Sequence, residues 1–190
     1  TITNATLIGV TLTGTTATYN GAAHYATLTG TQSGDTIEYR TSTNGGTTWS
    51  TWSSTEPSVT HVSDGPLQVE VKVSRANYND ATDTATLTIT KQAIELTADS
   101  KSWTYDGDEH TQHSYKITDG SFVNDEGLAS ATFAAASAIT NVGSVANTIT
   151  GVTPKTGTEA SDYAFTFEPG TLTITNATLI GVTLTGTTAT

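Results

Sequence analysis

Residues Thr1 to Thr18 read TITNATLIGVTLTGTTAT, and Thr173 to Thr190 read the same eighteen letters. The two copies start 172 residues apart. Chance does not produce such an identity. Either the protein repeats a 172-residue unit almost without drift, or the chain was assembled so that its ends overlap. The first reading asks for a fold that can follow itself along one polypeptide, with little room for linkers.

The unit has two halves of its own. Thr86-Leu87-Thr88-Ile89-Thr90 returns as Thr171-Leu172-Thr173-Ile174-Thr175. Asn77-Tyr78 precedes the first of these and Asp162-Tyr163 the second, with the Tyr nine residues before the Leu in both cases. A Tyr-Asn/Asp-Gly turn also recurs, as Tyr19-Asn20-Gly21 and Tyr105-Asp106-Gly107. The expected organisation is therefore a β domain over residues 1–90, a second over 91–175, and in 176–190 the first strand or two of a following domain.

Alternation of apolar and polar residues fixes the structural class. Gln68-Val69-Glu70-Val71-Lys72-Val73 places every Val on one face and every polar residue on the other. The two TLTIT segments alternate in the same way, and turn dipeptides such as Asn20-Gly21, Asp64-Gly65, Asp106-Gly107 and Pro169-Gly170 punctuate the strands. Strands spaced by such turns in domains of about 85 residues predict an all-β chain of two tandem Ig-like β-sandwich domains. A short helical turn is allowed in the second, where Asn124 to Ala136 is ambiguous. TLTIT runs straight into the next strand, so the junctions are short and the array is expected to be stiff.

Composition narrows the function classes. Thr fills 45 of the 190 positions and suits exposed strand faces. Seven Lys and Arg against eighteen Asp and Glu give a formal net charge of −11. Such a chain repels phosphate backbones and anionic lipid, so neither nucleic acid nor a membrane surface is expected as a partner. There is no Cys, which removes disulfides, thiolate metal sites and cysteine nucleophiles together. No apolar run approaches the ~20 residues of a membrane span.

The residues also resemble a known group. LTADSKSWTYDGDEH, SAITNVGSVANTITGV and DYAFTFEPGTLTIT in the second half are similar to the YDG-type and MBG-type repeats of Gram-positive bacterial surface proteins. IEYRTSTNGGTTWS, GPLQVEVKVSRANYND and TATLTIT in the first half resemble the Ig-like domains that accompany them. The resemblance covers nearly the whole chain. It implies a long, secreted, adhesin-like protein anchored to the cell wall through regions outside these 190 residues, and it carries no catalytic residues.

Candidate chemistry is sparse. Trp49 and Trp52, near Tyr39, are the candidates for stacking on a sugar ring, although a spacing of three on a strand would divide them between the two faces and send one into the core. Trp103 is expected to pin the Tyr105 turn to the core. Asp106, Asp108 and Glu109 are the candidates for Ca²⁺, although they lack a DxDxDG pattern and solvated turn charges explain them more simply. Lys72 and Lys116 alternate onto outward faces, which argues against the buried lysine that an intramolecular isopeptide crosslink requires. His24, His61, His110 and His113 read as ordinary surface histidines, and His110 and His113 fall on opposite strand faces. No GxSxG elbow appears, so an enzyme is not expected. Three functions remain in view: a structural stalk whose partners are neighbouring repeats, a module binding host glycan or protein through Trp49 or Trp52, and self-association through the duplicated terminal strand.

Overall fold

The computed structural model describes residues 3–181 and 183–186. It is all-β, as the alternation predicts, and its helical content among the described residues is two 3₁₀ turns, Val62–Asp64 and Ala160–Asp162. The chain packs as two compact units. The first comprises Thr1–Ala93, Ser121–Glu126 and Gly157–Ala164, and the second Ile94–Gly120, Gly127–Thr156 and Phe165–Thr190. Two strands, Gln92–Ala98 and Tyr163–Glu168, begin in the first unit and end in the second.

The first unit is built on a four-stranded sheet in the order Thr15–Thr18, Ala81–Thr90, Leu67–Ser74, Thr36–Ser42. The outer pair Thr15–Thr18 and Ala81–Thr90 is parallel and the other pairs are antiparallel. Val69, Val71 and Val73 are fully buried, as are Leu87 and, nearly, Ile89, so the alternation of each strand is spent on one core face. Against that face lie short pairs: Thr11–Thr13 with Thr27–Thr29, and His24–Tyr25 with Ser58–Val59. They contribute Leu12 and Val59 to the core, and Ala26, between two of these strands, is buried as well. Ala5–Thr6 adds a parallel pair with Tyr78–Asn79, which brings Leu7 under cover. Arg75 closes the edge of this sandwich with a two-pronged bond to Asp35, Nε to Oδ1 at 2.6 Å and an Nη to Oδ2 at 2.8 Å. The guanidinium and the Gln32 amide hold the Asp35 carboxyl down to about 2.

The second unit repeats the plan with different strands. Gly170–Thr175 lies between Lys101–Thr104, which is parallel to it, and Gly143–Asn147, which is antiparallel. Tyr115–Asp119 pairs with Gln92–Ala98, which also neighbours Tyr163–Glu168. Leu128–Phe133 pairs with Ile149–Pro154, and His110–Thr111 with Ala138–Ile139. Ile139, Leu172 and Ile174 form a buried cluster on which Trp103 and Val145 pack, so Trp103 does anchor its turn to the core. Ile94, Leu96, Ala98 and Ile149 complete the buried apolar set.

The segment from Asn124 to Ala136 is not helical. Asn124 takes a left-handed turn conformation with φ of 51°, and residues from Leu128 onward form a strand. The alanines there have helical propensity, but six residues of ladder with Ile149–Pro154 override a preference worth a fraction of a kcal/mol per residue.

Both units bring the first strand so close to the last that a side chain cannot fit at one point. A Cβ on Gly14 would sit 2.2 Å from the Thr86 carbonyl oxygen, and one on Gly170 would sit 2.4 Å from that of Ala98. The glycine comes from the entering strand in one unit and from the closing strand in the other. Gly170→Ala should therefore destabilise the second unit, and Leu172→Ala, which empties a fully buried position, should cost about 2–5 kcal/mol. Denaturant unfolding of the two variants against the parent chain measures both effects.

Candidate functional site

Residues 43–57 carry both candidate sugar-stacking tryptophans, and they do not form a regular strand. The segment turns through Gly45 and Gly46, both at positive φ, and comes back along Thr36–Ser42 with bonds from Ser50 N–H to the Thr41 carbonyl and a bridge between Tyr39 and Ser53. Side-chain bonds around Asn44 hold the turn: its Oδ1 accepts from Ser42 Oγ and from the Thr48 amide. The division of Trp49 and Trp52 between two faces therefore does not occur. Both rings converge on Arg40, whose Cζ lies 5.0 Å from the Trp49 centroid and 4.6 Å from that of Trp52. Lys72 Nζ lies 4.7 Å from the same Trp52 ring.

The cations are placed by register. Arg40 stands opposite Glu70 and Glu38 opposite Lys72 on adjacent strands. Arg40 Nε donates to Glu70, and Lys72 Nζ donates to Glu38 at 2.6 Å. Lys72 thus stays on the outward face, as its alternation predicts. Tyr39 points the other way and is buried. The tryptophans form a half-buried cover over a charged sheet face, held by cation–π attraction. Ring faces occupied by the chain's own cations are less open to a sugar.

The candidate Ca²⁺ residues lie on a turn that the first unit makes without them. Asp106 Oδ1 accepts from the Asp108 amide at 3.0 Å, and His110 Nε2 meets the same carboxylate at 3.0 Å. In the first unit Asn20 Oδ1 accepts from the Ala22 amide at 3.0 Å and His24 Nε2 meets it at 3.0 Å. The motif is Tyr-Asn/Asp-Gly-x-x-His in both units, an Asx turn closed by a histidine four residues on. The Asp108 amide and the His110 ring together hold the Asp106 carboxyl below its ordinary value. His110 also stacks on Trp103 at 4.8 Å, whereas His113 stacks on Phe133 at 4.9 Å. Those two histidines meet different rings, but His113 lies beyond the end of the His110–Thr111 strand, so strand alternation does not divide them.

A third constellation was invisible in the sequence. In the first unit, His61 Nδ1 meets Asp162 Oδ2 at 2.6 Å, and the Val62 amide donates to Asp162 Oδ1 at 2.7 Å. Asp162 is fully buried. Glu159 Oε2 stands 3.8 Å from the same His61 nitrogen. Each end of the pairing sits on a 3₁₀ turn, which aims backbone amides and side chains at short range. Tyr19 stacks on His61 at 5.6 Å and meets Tyr163 edge-on at 5.5 Å. Both phenols donate to Glu126, Tyr19 at 2.7 Å. Burial, then the bond to Glu126, pushes the Tyr163 hydroxyl up to about 12, and the same causes raise Tyr19. Both remain donors at any ordinary pH. His61 is thus no ordinary surface histidine; its partner is 101 residues away, beyond any local signal.

His61, Glu159 and Asp162 bring one ligand atom each within 4.8 Å of one another. Both Asp162 oxygens already accept hydrogen bonds, and the His61 nitrogen that faces them is the one a cation would need. The arrangement holds a proton between imidazole and carboxylate and fastens segment 157–164 to the rest of the first unit. The bond to Asp162 raises His61 above its usual value, and Glu159 and Asp64 add to it.

No family model matches the chain, and no curated protein matches it. Among solved structures it is similar to the N-terminal four Ig domains of Dscam1. Isoform 9.44, solved with zinc, shows 9 % identity over 92 % of this chain at a TM-score of 0.33. Isoform 4.44 shows 11 % identity over 93 % at a TM-score of 0.27. This chain spans less than half of either structure, 46 % and 45 % respectively.

Two outcomes follow from the geometry. Arg40→Ala removes the cation shared by Trp49 and Trp52; tryptophan emission should shift to the red as both rings gain water, with an unfolding cost of about 1 kcal/mol. The His61–Asp162 bond gives a pH window. His61 titrates higher in the folded chain than the ordinary 6.5, so its contribution is complete below 6.5 and fades as pH rises through the folded value. Asp64, which accepts from the Thr60 and His61 amides, is depressed below 3.8, so its contribution is present above 3.8 and fades as pH falls through the folded value. Amide-exchange protection factors in residues 157–164, which remove the intrinsic base catalysis, should be highest between those limits and fall as pH rises through the folded His61 value, and His61→Phe should flatten that alkaline limb.

Proposed function

We propose that this chain is a structural repeat of an extracellular, adhesin-like bacterial surface protein, a stalk segment that carries a binding domain away from the cell. The observation that supports this most is the eighteen-residue identity at a spacing of 172, joined to the way one unit continues into the next. The Ala81–Thr90 strand ends, Lys91 intervenes, and Gln92–Ala98 begins, so no linker separates the two halves of the sequence. A junction with no free linker restricts pivoting, and a repeated restricted junction gives reach in proportion to the number of repeats. The sandwiches supply Thr-rich outer faces and a net charge of −11, both suited to a solvated exterior. Among the described residues, no helix is long and apolar enough to cross a membrane.

The residues described above play structural parts in this reading. Trp49 and Trp52 cover a sheet face, Asp106 closes a turn, and His61 fastens a segment. Attachment to the cell wall, and whatever the stalk presents, belong to parts of the protein beyond this chain. Concatenating two, three and four 172-residue units should give a maximum dimension in X-ray scattering that grows linearly with repeat number. Growth as the square root of that number, the signature of a freely jointed chain, would overturn the stalk reading.

A further inference from the structure

Two Asn-Gly pairs occur in the chain, Asn20-Gly21 and Asn44-Gly45. A glycine after asparagine leaves its own amide nitrogen unshielded, because no Cβ stands beside it. At the first pair the fold itself demands the glycine. Gly21 has φ of 73°, and a Cβ there would sit 2.7 Å from Val123 Cγ1. The Gly21 amide has no hydrogen-bond acceptor among the described residues. Asn20 is exposed, and its side chain folds over the Gly21 peptide so that Oδ1 accepts from the Ala22 amide at 3.0 Å. That donor identifies the oxygen. His24 Nε2, 3.0 Å from the same atom, therefore carries the proton and donates as well.

We propose that Asn20 is a site of self-acting deamidation, and that its aspartate product is the state the second unit already carries at Asp106. The reaction is an intramolecular acyl transfer. The Gly21 nitrogen bonds to Asn20 Cγ, the Cγ–Nδ2 bond breaks, and Nδ2 leaves as ammonia with the proton from the Gly21 nitrogen. The Ala22 and His24 donors face Oδ1, the oxygen on which negative charge develops. Water then adds to the cyclic imide at Cγ and the Cγ–N bond breaks. A proton returns to the Gly21 nitrogen, and the main chain is restored with a carboxylate on its side chain. Water is the only co-reactant, and nothing is oxidised or reduced. Addition at the main-chain carbonyl instead gives isoaspartate, which lengthens the backbone where Gly21 is wedged against Val123.

The aspartate product fits because the turn uses Asn20 only as an acceptor. Nδ2 makes no bond among the described residues. Asp106 does the same work in the second unit, accepting from the Asp108 amide and meeting His110 Nε2, each at 3.0 Å. Asn44 is held differently. Its Oδ1 accepts from Ser42 Oγ and the Thr48 amide, and its Nδ2 donates to Thr48 Oγ1 at 2.7 Å. Loss of ammonia there breaks a bond that Asn20 does not make, and the side chain reaches to Thr48 rather than over Gly45. Deamidation needs no enzyme and does not reverse, so the share of chains with a carboxylate at the first turn grows with the age of the protein.

Ageing the full chain at mildly alkaline pH, folded and in denaturant, tests this by peptide mapping in a mass spectrometer. Cleavage after Arg40 and Lys72 places Asn20 and Asn44 on different peptides, and fragment spectra separate Asn20 from Asn4. In denaturant the two Asn-Gly pairs should deamidate at similar rates. In the folded chain Asn20 should lead Asn44 by about fivefold or more, the worth of the one hydrogen bond that only Asn44 loses. Asn20→Asp should unfold at the midpoint of the parent chain or above it. The proposal is overturned if folding leaves the relative rates of the two sites unchanged or puts Asn44 first, or if Asn20→Asp lowers the unfolding midpoint.

Discussion

The pairing that everything else leans on is the parallel contact between the entering strand and the closing strand of each unit. Thr15–Thr18 lies beside Leu87–Thr90, and Lys101–Thr104 beside Leu172–Thr175. The closing strand is hydrogen-bonded on both sides, since it also pairs with Leu67–Ser74 in one unit and Gly143–Asn147 in the other. Its two inward side chains, Leu87 and Ile89 or Leu172 and Ile174, are buried to within a few per cent. The final threonine adds a side-chain bond: Thr90 Oγ1 donates to the Ala17 carbonyl at 3.3 Å, and Thr175 Oγ1 to the Trp103 carbonyl at 3.2 Å. The amide just beyond the entering strand finishes the ladder, Tyr19 to Thr90 at 2.8 Å and Tyr105 to Thr175 at 2.9 Å. Recurrence of TLTIT is thus the trace of one structural job done twice. Closing a sandwich through partners some 72 residues apart carries a loop-closure cost, and a strand bonded on both edges concentrates the return in one place.

What the sequence shows and what it hides divide along range. Val69-Glu70-Val71-Lys72-Val73 states its own burial because strand geometry alternates strictly and the outward residues are polar. The Asn-Gly and Asp-Gly turns are legible for the same local reason. Their histidines were half legible: Tyr19-Asn20-Gly21 and Tyr105-Asp106-Gly107 align at once, and carrying that alignment three residues further would have paired His24 with His110. Trp49 and Trp52 resist because alternation between faces holds only for residues on a strand, and both lie on a turning segment. Ala129 to Ala134 resisted because propensity there is weak and a partner strand decides. His61 and Asp162 meet only through folding, and no pattern in either neighbourhood announces the other.

Electrostatics show how an acidic chain uses scarce cations. Arg40, Lys72, Arg75, Lys101 and Lys116 each meet an acidic partner, an aromatic ring or both. Arg40 and Lys72 cross-link two strands through Glu70 and Glu38 and also hold Trp52. Arg75 answers Asp35 and lies 5.4 Å from the Tyr78 centroid. Individually such surface pairs are worth little. Their effect here is positional, since each fixes a loop or an edge that the apolar core does not reach.

The duplicated segment separates local from tertiary information more cleanly than any substitution could. One sequence, TITNATLIGVTLTGTTAT, forms the same glycine turn in both places, with φ of 82° at Gly9 and 83° at Gly181. Turn geometry is therefore carried by the segment itself. Burial is not, because Leu12 and Leu184 have identical neighbours in sequence and differ from 5 % to 98 % in exposure. A strand of this kind has no stability alone. It acquires structure from Leu28, Asp83 and the valines of the facing sheet, all of them downstream in sequence from the first copy. In a protein that repeats this unit, each strand of this type is completed by residues that follow it, so folding of every unit depends on its own C-terminal strands being present.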